Sequence, residues 1–580
     1  MTSTNPADIS PRRPDGVEFA DADAERQLAG AVERLAWPDD AFERVKHNAS
    51  RTVWRGAIDG QLLYVKHFHP RSAWGRLRRR LGVSDARREL RLARRLRQGG
   101  VPAPRILAVG RAGNTEWVAS EAVTNAEPAD AWHARVRAKG DAGIRPIRSA
   151  IRTLAETLAR MHALGVVHRD LHCGNLLVRR SDAGEVSFVV MDLHRTRRSR
   201  GRRARASNLA QLLHDRRDFT TRTDRLRFLR AYLRAAGLTG QLRGWQMLIE
   251  ELARRHTARQ YAHRDRRIAR TNRYFARVRL PRGWRGHVVL ASKRKPAESA
   301  AAHMQFSPDA WRDALAHPEA LMDGDVEVVK DSATSRVVRR KLTIGGRELD
   351  VYVKRSHRKR AWKVLLDCFR RGRGVRAFRL GHMLLTRRIA TAFPLAGLER
   401  RRGPFLLDTI YLTEAVEAPR LSRFLELHLG RAADAKLDHS QRRQLAQAVL
   451  WQLGRLVQGL HDHGFAHRDL KAPNMLVHWR AGELPQIVLV DLDGLRQTHV
   501  LTVRRRFQGL MRLNVSLLKC PVVTHAGRLR MLLGYLRRPG CGWINFKPYW
   551  RVLEVWSARK LNRQIRSRRR RQRALRRPTS

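Results

Sequence analysis

Apolar positions along the chain alternate first with period two and then with helical spacing, and that order of elements occurs twice. Residues 24–35 have helical spacing, after which 52–60 and 61–67 read as two strands joined at Asp59-Gly60, a strong hairpin signal. A helix follows over 84–97, ended by Val101-Pro102-Ala103-Pro104, and 117–122 returns to strand. A helix over 151–164, an apolar strand-like run over 186–191 and amphipathic helices over 209–213 and 226–236 complete the first set. Between about 286 and 323 the pattern lapses into Lys293-Arg294-Lys295-Pro296 and an Ala- and Ser-rich run, which reads as a linker. The order then resumes: strands over 336–342 and 349–354 around Gly345-Gly346, a helix over 376–388 before Phe393-Pro394, a strand over 411–415, and helices over 445–463 and 529–536. The expected organisation is a disordered N-terminal tail (1–20), a first domain (21–290), a linker (291–322), a second domain (323–556) and a disordered basic tail (557–580).

Composition agrees with two globular domains, because 580 residues exceed one hydrophobic core and 43% hydrophobic content is ordinary. The four cysteines, Cys173, Cys368, Cys520 and Cys541, form no C-x-x-C pair, which argues against a disulfide framework or zinc site and suits a reducing compartment. Cys173 is expected to be a small filler residue. There is no apolar run of about 18 residues, and 1–16 is polar with three prolines, unlike a signal peptide, so a cytoplasmic protein is expected. A net charge of +65 calls for a polyanionic partner: nucleic acid, an anionic lipid surface or a phosphorylated glycolipid.

The candidate chemistry lies in Val167-His168-Arg169-Asp170-Leu171-His172-Cys173-Gly174-Asn175, followed by the apolar strand that ends at Asp192. An Asp able to accept a hydroxyl proton, an Asn five residues on able to hold Mg²⁺, and a second metal-binding Asp leaving a strand are the parts of a phosphoryl-transfer centre. The block recurs as Ala466-His467-Arg468-Asp469-Leu470-Lys471-Ala472-Pro473-Asn474 and then Asp491-Leu492-Asp493-Gly494. The spacing from Asp170 to Asp192 equals that from Asp469 to Asp491, 22 residues (192 − 170 and 491 − 469). A third triplet, His263-Arg264-Asp265, has Arg270 where the Asn should be and is a decoy. Upstream of each block an apolar strand ends in a lysine, Lys66 or Lys354. In the first half the helix that follows carries Glu89.

These loops and lysines resemble the protein-kinase-like superfamily, and within it the bacterial lipopolysaccharide kinases that act on Kdo or heptose of the inner core. The glycine-rich loop is replaced by Ser50-Arg51-Thr52-Val53-Trp54-Arg55 and Ser335-Arg336-Val337-Val338-Arg339. The metal segments read Asp-Leu-His and Asp-Leu-Asp rather than D-F-G, and no A-P-E-like activation segment follows. The resemblance implies an α+β fold: two tandem bilobal domains, each with a small sheet lobe over a helical lobe and ATP with Mg²⁺ between them.

By matched position, Lys66, Glu89 and Lys354 would hold phosphates, and the hinge strands ending in Glu121 and Glu414 would edge the nucleotide. Asp170 and Asp469 would orient the acceptor hydroxyl, with Lys471 touching the transferring phosphate. Asn175, Asp192, Asn474 and Asp491 would bind the metal. The implied partners are ATP, a lipopolysaccharide core glycolipid and the anionic inner face of the cytoplasmic membrane; no specific nucleic acid is expected.

Three departures stand out. His172 and His194 are unusual in the first half. Registering Pro104 on Pro394 puts Arg379 where Glu89 stands, so Lys354 is expected to lack a carboxylate partner and the second domain to grip phosphate weakly. A protein kinase is the competing enzyme class, and a nucleic-acid-binding pseudokinase pair the competing non-enzyme.

Overall fold

The computed structural model describes residues 16–48, 50–69, 84–182, 184–216, 219–293, 296, 299–357, 370–430, 437–537 and 544–575. The expected tail residues 1–15 and 576–580, together with Cys368 and Cys541, lie outside the described residues. The chain divides into two compact units, 1–258 and 259–580.

In the first unit a six-stranded antiparallel sheet has the order Glu18–Phe19, Ile106–Ala112, Thr115–Glu121, Gln61–Phe68, Arg51–Ile58, Glu43–Asn48. Asp59 and Gly60 both have positive φ, 48° and 78°, the conformation a two-residue hairpin requires, and this is why the turn is legible in the sequence. On the central strand Leu63 and Val65 are fully buried beneath the sheet with Leu35, Phe42 and Trp117. Period-two alternation sends Lys66 to the opposite face. The helix Asp85–Gln98, capped by Ser84, buries Ala86, Glu89, Leu90, Ala93 and Leu96 at helical spacing, so Glu89 falls on the packed side. Below it, the helix Ile144–Ala163 leads into the short strand Val166–His168, which pairs with Thr196–Arg198.

The second unit repeats this plan with a larger sheet: Phe275–Arg279, Trp284–Val289, Pro394–Arg402, Phe405–Glu414, Arg347–Ser356, Ser335–Ile344, Glu327–Ser332. Val351 and Val353 are buried, again leaving Lys354 on the other face. The helices Arg373–Thr386 and His439–Asp462 occupy the places of Asp85–Gln98 and Ile144–Ala163. Each helical lobe also repeats a buried histidine bonded to a tyrosine hydroxyl, His162 to Tyr232 at 2.8 Å and His461 to Tyr535 at 3.0 Å. Burial pushes these imidazoles down to about 4 and about 3.

The described boundaries differ from the expected ones. Phe275–Arg279 and Trp284–Val289, assigned by pattern to the first domain, are strands of the second unit's sheet. The expected linker 291–322 includes a buried part of that unit: Ala301, Ala302, Phe306, Trp311, Leu315, Leu321 and Met322 all enter its core. Large side chains spaced four to six apart make no periodic signal, yet one tryptophan can bury as much area as several small residues. At the N-terminus, Glu18–Phe19 of the expected tail pairs with Ala108 and Val109. At the other end, the basic segment is the continuation of a helix, Lys547–Leu575, whose Leu553 is fully buried. The decoy Asp265 has a structural role: it makes a two-pronged ion pair with buried Arg387, at 2.9 and 2.7 Å.

Trp311 is fully buried and its indole N–H donates to the Val289 carbonyl at 2.7 Å. Trp311→Ala is therefore expected to destabilise the protein by about 3–5 kcal/mol, measured by urea unfolding of the full chain. A linker tryptophan would change it by no more than about 0.5 kcal/mol.

Candidate active site

In each unit the sheet lobe and the helical lobe are joined by a lysine set among carboxylates. Lys66 Nζ donates to Glu89 Oε1 at 2.7 Å and to Asp192 Oδ1 at 3.3 Å. Glu89 is only 3% exposed and Lys66 17%, so each charge depends on the other. Burial pulls the ammonium down, but Glu89 and Asp192 outweigh it and hold Lys66 above its ordinary value. Burial likewise opposes ionisation of Glu89 and Asp192, and Lys66 reverses this, keeping both below the usual carboxylate range. Arg51, from the strand that replaces a glycine-rich loop, donates to both oxygens of Asp192 at 2.8 and 2.9 Å. Asp192 is in the left-handed region, φ 56° and ψ 48°, a conformation that Asp tolerates better than most residues.

The second unit reaches the same result from different positions. Lys354 Nζ lies 3.1 Å from Asp491 Oδ1 and 2.7 Å from Asp493 Oδ2. Asp493 is thus the carboxylate that the expectation of an unpaired lysine missed. The residue facing Glu89's place is not Arg379: the two helices share one burial pattern when Glu89 is set on Ala377. The Pro104–Pro394 anchor fails because the loop from the helix end is longer by two in the second unit, running from Thr386 to Pro394 against Gln98 to Pro104. Asp493 stands where the first unit has His194, whose Nδ1 lies 3.6 Å from Glu89 Oε2. Burial opposes the charge on Lys354, but Asp493 and then Asp491 hold it above its ordinary value.

The loops carrying the candidate bases are built alike. His168 accepts the Asp170 N–H on Nδ1 at 3.2 Å, which leaves its Nε2–H to donate to the Met191 carbonyl at 3.1 Å. His467 does the same for Asp469 and Asp491, at 3.0 and 2.5 Å. Each His therefore ties the loop to the strand that delivers Asp192 or Asp491, and burial keeps both imidazoles below their ordinary value. Asn175 and Asn474 each donate Nδ2 to the main-chain oxygen of the candidate base at 2.9 Å, leaving the amide oxygen as an acceptor.

The candidate bases themselves differ in their partners. Asp170 Oδ2 faces Arg195 Nη1 at 2.5 Å, whereas Asp469 Oδ2 faces Lys471 Nζ at 3.3 Å. Asp170 opens on a cavity of about 640 Å³ lined by Asp85, Arg88, Arg169, His194 and Arg195.

The remaining candidates stand apart from these clusters. Glu121 ends its strand with its N–H bonded to the Arg105 carbonyl. Glu414 is buried, and its carboxylate is taken up by Ser299 Oγ and by the Ala301 N–H at 2.9 Å. Arg51, Arg195 and Asp493 are charged residues in contact with the assigned ones to which motif reading gave no role. Asn208, whose side chain bonds both the N–H and the carbonyl of His168, is a further structural one.

Two tandem bilobal units, each with a strand lysine against a metal-segment Asp and an H-R-D loop beneath, define a protein-kinase-like architecture. The chain belongs to the lipopolysaccharide kinase (Kdo/WaaP) family, whose sequence profile matches residues 37–232 and again 326–535. Among solved structures, one described as WaaP in complex with acyl carrier protein is similar, at 24% identity over 41% of this chain and 98% of that one, with a TM-score of 0.33. No curated protein matches.

Lys66→Met would leave Glu89 buried with no full positive charge in contact. The variant is expected to lose about 3–5 kcal/mol of stability at pH 7. With Lys66 gone, the folded-state pKa of Glu89 should rise above its unfolded value, so the deficit should shrink as pH falls and Glu89 takes up a proton. In the parent the sign is opposite: carboxylates held low contribute stability above about pH 4 and lose it on acidification. Lys354→Met should have a smaller effect, because Asp491 and Asp493 are 31% and 26% exposed. Thermal unfolding of both variants between pH 4 and 8 measures this.

Proposed function

We propose that this chain transfers the terminal phosphoryl group of ATP to a sugar hydroxyl, on Kdo or heptose, of the lipopolysaccharide inner core at the cytoplasmic face of the membrane. The observation that carries the reading is the lysine–aspartate contact made in both units, Lys66 to Asp192 and Lys354 to Asp491, because both groups must reach one triphosphate.

In this reading Lys66, oriented by Glu89, and Lys354, oriented by Asp493, hold the phosphates. The strand ends at Glu121 and Glu414 edge the base through their main chain, since the Glu414 carboxylate is already engaged. Asp170 and Asp469 orient the acceptor hydroxyl and take its proton as the new O–P bond forms. Lys471 faces the transferring group in the second unit.

The donor set suits Mg²⁺, which prefers hard oxygen ligands and takes few from the protein. Asp192 with Asn175, and Asp491 with Asn474, each offer one carboxylate and one amide oxygen. Among the described residues there is no cluster of three or more His, Cys, Asp or Glu that would favour another metal. When bound there, magnesium would offset charge on the phosphates.

Attachment to the membrane would be electrostatic. The chain carries +65, and no helix among the described residues is long and apolar enough to cross a bilayer. The protein is expected to pellet with anionic vesicles in low salt and to be released at about 1 M salt, where the Debye length falls to about 3 Å.

The full chain, labelled ATP and deacylated core oligosaccharide test the reaction. Asp170→Asn and Asp469→Asn should each remove one unit's transfer by roughly 10²–10⁴-fold, and the double variant should remove both. Mass spectrometry of the product counts the phosphates added. Undiminished transfer by the double variant would refute the reading.

A further inference from the structure

We propose that Arg195 is a catalytic residue of the first unit, the cation that meets the transferring phosphoryl group in place of the lysine that the H-R-D loop lacks there. This rests on the phosphotransfer reading above. Residue 172, two beyond the candidate base, is histidine in the first unit, and the matching residue of the second is Lys471. Three beyond the metal-segment Asp the exchange is reversed: Arg195 in the first unit, Gly494 in the second. Each candidate base nevertheless faces one cation on Oδ2, Arg195 at 2.5 Å or Lys471 at 3.3 Å.

In the second unit a side chain at this position would be tightly packed. A Cβ built on Gly494 would lie 3.1 Å from His467 Cε1 and 3.3 Å from the Asp469 nitrogen, tighter than ordinary contact. The main chain at this position is held in both units, and the Gly494 carbonyl likewise accepts the Arg468 N–H at 2.9 Å. The Arg195 N–H donates to the Asp192 carbonyl at 3.1 Å, and its own carbonyl accepts the Arg169 N–H at 2.9 Å. The residue is therefore pinned to both the metal segment and the loop of the candidate base. A stabilising surface ion pair does not account for this, since both side chains are nearly half exposed, 49% and 44%, and such pairs add little to folding. The guanidinium instead lines the cavity into which Asp170 opens.

In the step itself, the acceptor oxygen bonds to the γ-phosphorus and the bond from that phosphorus to the β–γ bridging oxygen breaks. The electron pair leaves with ADP, and the hydroxyl proton passes to the Asp170 carboxylate. Arg195 makes and breaks no covalent bond. It donates to the peripheral oxygens of the moving group, which a planar guanidinium does well.

The test uses the full chain with Asp469→Asn and Lys354→Met, so that transfer and nucleotide binding report the first unit. In this parent, Arg195→Ala should weaken equilibrium binding of ATP roughly ten- to hundredfold while leaving ADP unchanged, because only ATP carries the group that Arg195 meets. Transfer to deacylated core should fall roughly 10²–10³-fold, and Arg195→Lys should retain part of it. The decisive variant is Arg195→Gly with His172→Lys, which rebuilds the second unit's arrangement. His172 and Lys471 share a backbone, φ −148° and ψ 163° against φ −151° and ψ 155°, so a lysine at 172 should restore both transfer and the preference for ATP. An unchanged ATP-to-ADP affinity ratio in Arg195→Ala, or failure of the double variant to recover, would overturn the assignment. A parent that binds no ATP would instead strike down the phosphotransfer reading, and this proposal with it.

Discussion

A charged lysine cannot sit between two lobes of a protein unless carboxylates meet it there, and both units are organised around that requirement. Lys66 and Lys354 lie on strands whose alternate residues are buried hydrophobics, so the face they occupy is decided by the sheet core rather than by the site. Desolvation of the ammonium is then offset by Glu89 and Asp192 in one unit and by Asp491 and Asp493 in the other. Because the metal-segment Asp comes from the helical lobe and the lysine from the sheet lobe, the ion pair sets the register of the two lobes within each unit. The H-R-D histidines secure the lower half of this arrangement, fixing the loop to the strand end through both ring nitrogens.

The two clusters differ in the groups that meet the carboxylates. In the first, two carboxylates face an ammonium and the Arg51 guanidinium; in the second, two carboxylates meet the Lys354 ammonium, and the Arg376 guanidinium reaches the Asp493 carbonyl at 3.4 Å. Arg51 belongs to the strand that replaces a glycine-rich loop, and the residue matched to it across the two strand registers is Ser335. The copies thus share a fold while placing different fixed charge around the same Asp.

Much of this was legible in the sequence wherever the signal was local. The two H-R-D loops, the strand lysines, Glu89 and both hairpin turns depend on short spacings that backbone geometry constrains. Glu89 could be read because a helix places it three residues after Ala86 and next to Leu90. Signals that depend on three-dimensional register were not legible. The Pro104–Pro394 anchor sets Arg379 against Glu89, but the loop after the helix is longer by two residues in the second unit, which moves the helix. Asp493 was visible only as part of a variant metal motif, since nothing local to it shows that its carboxylate reaches a strand lysine far upstream. The segment around Trp311 reads as a linker because its apolar residues follow no helix or strand period, although Phe306, Trp311, Leu315, Leu321 and Met322 are all buried.

The exchange of charged positions between the copies bears on how worn-out enzymes are diagnosed. Scored column by column against a consensus, the first copy would be marked defective for His172 and the second for Ala377, and the pair could be dismissed as a decayed duplication. In space neither copy lacks a charged contact at that place, because Arg195 and Asp493, both from the segment after the strand-end Asp, supply it. The two copies thus keep a charged contact at each of these places while their motifs differ. Motif columns alone therefore do not report which charged contacts each copy of this chain retains.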